Sequence, residues 1–215
     1  MFGIQNREIY KLDFKRRAFP RAPQGDFLRI IVGVTGASGT IYGWRLLEKL
    51  RAREDAEIHL VLTRSGERTA FLELGKTAAD FKALADCSYP VEDIGCRLAS
   101  GSFPIDCMVI APCSVHTMSA IAAGISSNLM IRAADVTLKE HRRLVLMIRE
   151  KPLHLGHLRS MTALAEMGAI VAPPVPAFYH HPETVGEIVD HSVDRVLDLI
   201  GLPSPEARRW DGPVR

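Results

Sequence analysis

The chain has 215 residues, 47% hydrophobic and 24% charged, with a formal net charge of +2. That length and balance admit one α/β core with tails, and they exclude a surface organised to neutralise a run of nucleic-acid phosphates. No apolar stretch approaches the ~20 residues that cross a bilayer and the N-terminus lacks a signal-peptide core, so the expectation is a soluble, cytoplasmic protein with no membrane span and no nucleic-acid partner.

Residues 1–27 read as a basic, loosely ordered extension. Lys11, Lys15, Arg16, Arg17 and Arg21 alternate with scattered apolar residues, Pro20 and Pro23 close the segment, and Glu8, Asp13 and the lack of serine set it apart from a transit peptide. The core is expected over 28–203 and a C-terminal tail over 204–215. The first strand, 29–34, breaks at Thr35-Gly36-Ala37-Ser38-Gly39 and gives way to a helical pattern over 40–52. A strand, a tight turn and a helix N-terminus present backbone N–H groups and a positive dipole end to a phosphate. Gly33, Gly36 and Gly39 are spaced by three, which is not the dinucleotide fingerprint, so a mononucleotide or another phosphate ester fits better than NAD. Glycines serving packing alone fit this turn equally well.

Further on, short apolar runs at 57–63, 107–112, 143–149 and 170–173 alternate with helical patterns at 65–74, 115–124, 127–142, 155–167 and 184–200. The runs Ile58-His59-Leu60-Val61-Leu62, Met108-Val109-Ile110-Ala111 and Leu144-Val145-Leu146-Met147-Ile148 are continuously apolar, as strands buried on both faces are. The pattern implies βαβ crossovers and a doubly wound, mostly parallel sheet with helices on both faces. Ligands of such sheets bind beyond the strand C-termini. There the sequence gathers Gly36-Ala37-Ser38, Thr63-Arg64, Cys113-Ser114-Val115-His116-Thr117, Arg149-Glu150 and Pro173 to Tyr179. Taken singly, Ser114 or Thr117 suits a helix cap and Arg149-Glu150 a solvated ion pair.

The helix over 127–142 stacks Arg132 and Lys139 on one stripe, with an i,i+4 pair from Asp135 to Lys139 as the plain alternative. In the last helix Val185, Ile188, Val189, Val193, Val196, Leu197 and Ile200 form the buried face, and Arg195 lies outside it, within reach of Asp198 or His191. His154 and His157, an i,i+3 pair without a third ligand nearby, make a poor zinc or iron site, so no metal is expected. His180 and His181 follow Tyr179, where one of them lines a pocket or both form a polar loop. Cys87, Cys96, Cys107 and Cys113 show no C-x-x-C pairing and suit reduced thiols.

Several of these segments together resemble the flavin prenyltransferase (UbiX) family. They are Val32-Gly33-Val34-Thr35-Gly36-Ala37-Ser38-Gly39 with Tyr42-Gly43, Ser100-Gly101-Ser102-Phe103, Ala111-Pro112-Cys113-Ser114, Arg132 to Glu140, Arg149-Glu150, and Pro173 to His180. The resemblance implies a flavodoxin-like/Rossmann-like homo-oligomer, a dodecamer with its site at subunit interfaces. Its implied activity is to bind FMN and join a dimethylallyl group from dimethylallyl phosphate to N5 and C6 of the reduced flavin, without a metal. The prenylated FMN would serve a UbiD-type decarboxylase in a ubiquinone or phenolic-acid pathway.

By the same resemblance Gly36, Ala37, Ser38, Thr63, Ser114, Val115, His116, Thr117 and Arg149 contact FMN. Lys139, Tyr179 and Arg195 surround the donor phosphate, with Arg132 and Arg149 contributing, and Ser38, Glu73, Lys139 and Glu150 carry catalysis. Trp210 matches a C-terminal aromatic of some members. The chain departs from the family pattern in carrying Thr63-Arg64 for Ser-Lys and Glu73-Leu74-Gly75 for Glu-Thr-Asp. A related flavoprotein class that decarboxylates peptidyl or pantothenoyl cysteine requires a Pro-x-Met-Asn loop, which this sequence lacks.

Overall fold

Odd and even positions of the central strands enter two different cores. The computed structural model describes residues 27–210 and 212. In β1 (Leu28–Val34), Ile30, Val32 and Val34 pack to one side and Ile31 to the other, because successive side chains of a strand point to opposite faces. The first core joins these residues to α1 (Thr40–Arg51) and α7 (Val185–Ile200) through Leu46, Leu47, Leu50, Val193 and Leu197. The second joins Ile31, Met108, Ile110, Leu144 and Leu146 to α4 (Val115–Ala122), α5 (Leu129–Lys139) and α6 (Leu155–Glu166). Burial on both faces is why the strand sequences run apolar without interruption.

The other strands are β2 (Ala56–Leu62), β3 (Cys87–Tyr89), β4 (Cys107–Cys113), β5 (Arg143–Ile148) and β6 (Ile170–Val171). They line up in the order β3-β2-β1-β4-β5-β6, and each of the five pairings is parallel. The expected doubly wound sheet with helices on both faces is therefore present, and wholly parallel rather than mostly so. The winding reverses between β1 and β4, the switch point at which a crevice opens in such sheets.

Three elements were not expected from the sequence: α3 (Ala78–Ala83), the three-residue β3 and a single turn of 3-10 helix at Arg97–Ala99. α3 opens with a reciprocal cap between Thr77 and Asp80, a signal present in the sequence that its six residues were too few to support by periodicity. Elsewhere the boundaries tighten. α5 begins at Leu129 because Asn128 caps it, and His141, at φ 55°, turns the chain into β5. Pro173 and Pro174 hold β6 to two residues. Val185, expected on the buried face of α7, is 77% exposed at its first turn.

Apart from Phe27, the basic extension lies outside the described residues, as do residues 211 and 213–215 of the tail. All four cysteines are free. Cys107 and Cys113 are buried in β4, and burial pushes each thiol up to about 12. No helix among the described residues is long and apolar enough to cross a membrane.

Candidate active site

The C-terminal edge of the sheet collects the glycine turn, Thr63, Ser114 to Thr117 and Arg149. Thr35, at the end of β1, donates its hydroxyl to Pro112 O (2.7 Å) and accepts the Ser114 amide (2.9 Å), which locks the β1 and β4 termini together across the switch point. The Arg149 amide donates to Cys113 O (3.1 Å), bringing the β5 terminus to the same rim. The Arg149 side chain passes within 3.9 Å of the position a Cβ would take on Gly39. Thr63 Oγ1 donates to Val34 O (3.3 Å) and caps α2 (Arg64–Leu74) by accepting the Gly66 amide (3.0 Å).

Gly36 lies against Ser65, 2.5 Å from where its Cβ would be, so a larger residue would displace the turn. The amides of Gly36, Ala37 and Ser38 have no partner among the described residues and remain free for a ligand.

One expectation is corrected here. The N-terminus of α1, which the sequence offered equally as a phosphate site or as a packing turn, already holds a carboxylate of the chain itself. Gly39, in the left-handed region at φ 97°, offers no capping side chain. Glu73, from the last turn of α2, fills the place: its oxygens accept the amides of Gly39 (3.0 Å) and Thr40 (2.9 Å) and the Thr40 hydroxyl (2.7 Å). Burial pushes this carboxyl up, but the Thr40 and Ser38 hydroxyls and the two amides outweigh it and hold Glu73 below the usual carboxylate range.

The free helix end at the rim belongs to α4. There the Ser114 hydroxyl oxygen accepts the Thr117 amide (3.3 Å), and the Val115 and His116 amides have no partner among the described residues. The open amides of α4 and of the glycine turn thus share this rim, while those of Gly39 and Thr40 at the start of α1 already hold Glu73.

The Glu73 contacts give a stability prediction. Glu73→Ala lowers the unfolding free energy by about 1 kcal/mol at pH 7, the usual worth of a lost cap. A carboxyl depressed in the folded state stabilises above its unfolded value and loses that contribution as pH falls through the folded one. The gap between wild type and variant in urea unfolding therefore narrows below about pH 4.

Of the expected donor-phosphate residues, Arg149 stands beside the glycine turn, but Lys139 lies at the opposite edge of the sheet within one chain. Lys139 ends α5 four residues before β5 begins, at the N-terminal edge of the sheet, whereas Arg149 and Glu150 follow β5 at the other edge. The six residues of β5 separate the two by about 20 Å. Lys139 pairs with Glu140 rather than with Asp135, which takes Arg132 instead (2.7 Å). Beside them, Arg142 holds Gly101 O (2.7 Å) and Phe103 O (2.9 Å), and a Cβ on Gly101 would strike Glu140 and Lys139. The Ser100 to Phe103 segment thus packs onto Lys139. Glu150 is exposed, and one of its oxygens accepts the Lys151 amide (3.0 Å).

Tyr179 and Arg195 are brought together. They line one cavity of about 330 Å³ against α7, with His191, Asp194, Arg209 and Trp210 among the other walls. Arg195 approaches Asp198 at 3.5 Å, but Arg209 of the tail holds that carboxylate more tightly (2.6 and 2.8 Å). His154 caps α6 by accepting the Gly156 amide (3.0 Å), and its ring lies 3.6 Å from that of His157. Among the described residues no group of three or more His, Cys, Asp or Glu is placed to hold a metal. Sequence reasoning missed His191 and the capping role of Glu73.

A family model described as Flavoprotein matches residues 23–197. "Flavin prenyltransferase UbiX" of Thauera aromatica is 51% identical over 185 residues, which cover 86% of this chain and 95% of that protein. A structure described as a dodecameric FMN-dependent UbiX-like decarboxylase from Escherichia coli O157:H7 superposes with a TM-score of 0.85 at 49% identity, covering 86% of this chain and 100% of that one. AnUbiX (PadA1), solved in complex with FMN and dimethylallyl pyrophosphate, also gives 0.85, at 41% identity over 87% of this chain and 100% of that one.

Proposed function

Because the chain belongs to the flavoprotein family, and within it to the UbiX flavin prenyltransferases, we propose that it joins a dimethylallyl group from dimethylallyl phosphate to N5 and C6 of reduced FMN. The product would supply a UbiD-type decarboxylase. One observation carries this reading: free amides at Gly36, Ala37, Ser38, Val115 and His116 share a rim with Thr63 and Arg149, and that donor set suits the phosphate and ring edge of a mononucleotide. The site is completed between copies of the chain. The Escherichia coli O157:H7 relative described as dodecameric supports this, as do the exposed Phe71, Leu72, Leu155, Leu158, Val175 and Phe178. Four free thiols suit a reducing cytoplasm.

Bound reduced flavin supplies the electron-rich atoms that meet the prenyl carbon. The chain's part is to hold, orient and move protons. Breaking an allylic C–O bond leaves charge on the phosphate, which Lys139, Arg149, Arg195, Arg132 and the Tyr179 hydroxyl are suited to grip before it departs. Glu150 would carry a proton to the leaving phosphate, and Ser38, tied to Glu73, would turn its hydroxyl to the N5 region; joining C6 would further require a base to take the C6 proton as the prenyl double bond takes one up.

Anaerobic incubation with FMNH2 and dimethylallyl phosphate should raise the flavin mass by one prenyl group in mass spectrometry. Glu150→Gln should bind FMN as wild type does while turning over about 10²-fold more slowly. An unchanged flavin mass with folded wild-type protein would defeat the proposal.

A further inference from the structure

The Tyr179 phenol, which the proposed function places on the donor phosphate, is not alone in its cavity. Its oxygen lies 2.9 Å from His191 Nε2. His191 and Arg195 stand four residues apart on α7, so the imidazole and the guanidinium rise from the same stripe of the helix. His180 stacks on His191 with ring centres 4.4 Å apart and planes at 15°, fixing the imidazole plane. The Tyr179 ring meets His191, His180 and Trp210 edge-on, at 5.7, 5.5 and 5.6 Å, so its direction is set from three sides. Neither ring nitrogen of His180 has a partner among the described residues, and it meets His191 by stacking.

A phenol has a single hydrogen. If Tyr179 spends it on His191, only lone pairs face an incoming phosphate oxygen, and the contact repels. If His191 carries its proton on Nε2, the same 2.9 Å contact runs the other way and the phenolic hydrogen is released to the anion. Burial, with the neighbouring His180, lowers His191 from the usual imidazole value, which favours the neutral ring and makes its tautomer the variable. An anion drawn in by Arg195, Arg208 and Arg209, which line the same cavity, favours the arrangement that turns a donor toward it.

We propose that His191 is a positioning residue of the donor-phosphate subsite, donating Nε2–H to the Tyr179 oxygen so that the phenol donates to phosphate. The proposal rests on the prenyltransferase reading.

Its test uses the full-length, FMN-loaded protein and two substitutions. His191→Phe keeps a ring against His180 but has no donor, whereas His191→Gln restores an N–H at nearly the same reach. For His191→Phe the donor KM rises about tenfold while kcat stays within about twofold, and His191→Gln recovers most of the lost affinity. An unaltered KM in His191→Phe overturns the proposal, as does a His191→Gln defect equal to that of His191→Phe, which would make the role one of packing. Titration of the three proteins with inorganic phosphate, followed by 31P NMR, decides the same point without turnover. Weaker binding only in His191→Phe upholds the proposal, and equal binding in all three removes it. Loss of prenylation in wild type, by contrast, counts against the prenyltransferase reading alone.

Discussion

Chains carrying Lys139→Ala and chains carrying Arg195→Ala, each nearly inert alone, should regain activity when expressed together. Under the proposed function each substitution removes a cation from the grip on a departing phosphate, a loss on the order of 10²–10³ in kcat. Lys139 closes α5, which packs into the core on one face of the sheet, and Arg195 stands on α7, which packs into the core on the other, so the sheet lies between them in a single chain. Sites that draw Lys139 from one copy and Arg195 from another would be intact in about a quarter of cases under random co-assembly. Mixed assemblies as inert as either parent would place both residues in the same copy's site, and the composite arrangement would be wrong.

Gly43→Ala should be the most damaging single methyl addition in α1. Its Cβ would lie 2.2 Å from Ala111 O and 3.0 Å from Val34 Cγ2, so the helix seats directly on the backbone of β4. A side-chain tip gives way to such a contact, but a carbonyl held in the central sheet does not, and relief requires α1 to lift from a core that includes Leu46, Leu47 and Leu50. The cost is about 3 kcal/mol, at the upper end of overpacking effects, read as a lower denaturant midpoint. Gly186→Ala is the control: its nearest neighbour is Thr184 Oγ1 at 3.7 Å, so stability should rise by ~0.5 kcal/mol. A midpoint for Gly43→Ala equal to wild type would mean that α1 does not sit this close.

The central strands were legible because burial on both faces writes itself as unbroken apolar runs, and the rim residues because parallel strands deliver their C-termini to one edge. What the sequence hid depends on contacts between distant elements. The α1 turn looks identical whether its amides await a phosphate or already hold Glu73, 33 to 34 residues away in the chain. The missing cap at Gly39 was the available hint. Spacing placed Arg132 and Lys139 on one stripe correctly, yet pairing fell to Asp135 and Glu140 by a choice of rotamers that spacing does not encode. His191 offered no signal until Tyr179 folded back onto α7. The short β3 escaped because Cys-Ser-Tyr carries too little pattern to mark a strand.

The outermost strands have a bearing on how copies of this chain meet. β3 contributes three residues and β6 only two, the latter stopped by a pair of prolines that have no amide to donate. Neither border exposes a row of unsatisfied peptide groups long enough to template another chain, so ribbon-like accretion through the sheet is disfavoured. Association is thereby left to side-chain surfaces of helices and loops, whose fixed shapes favour closed, countable assemblies over open-ended growth.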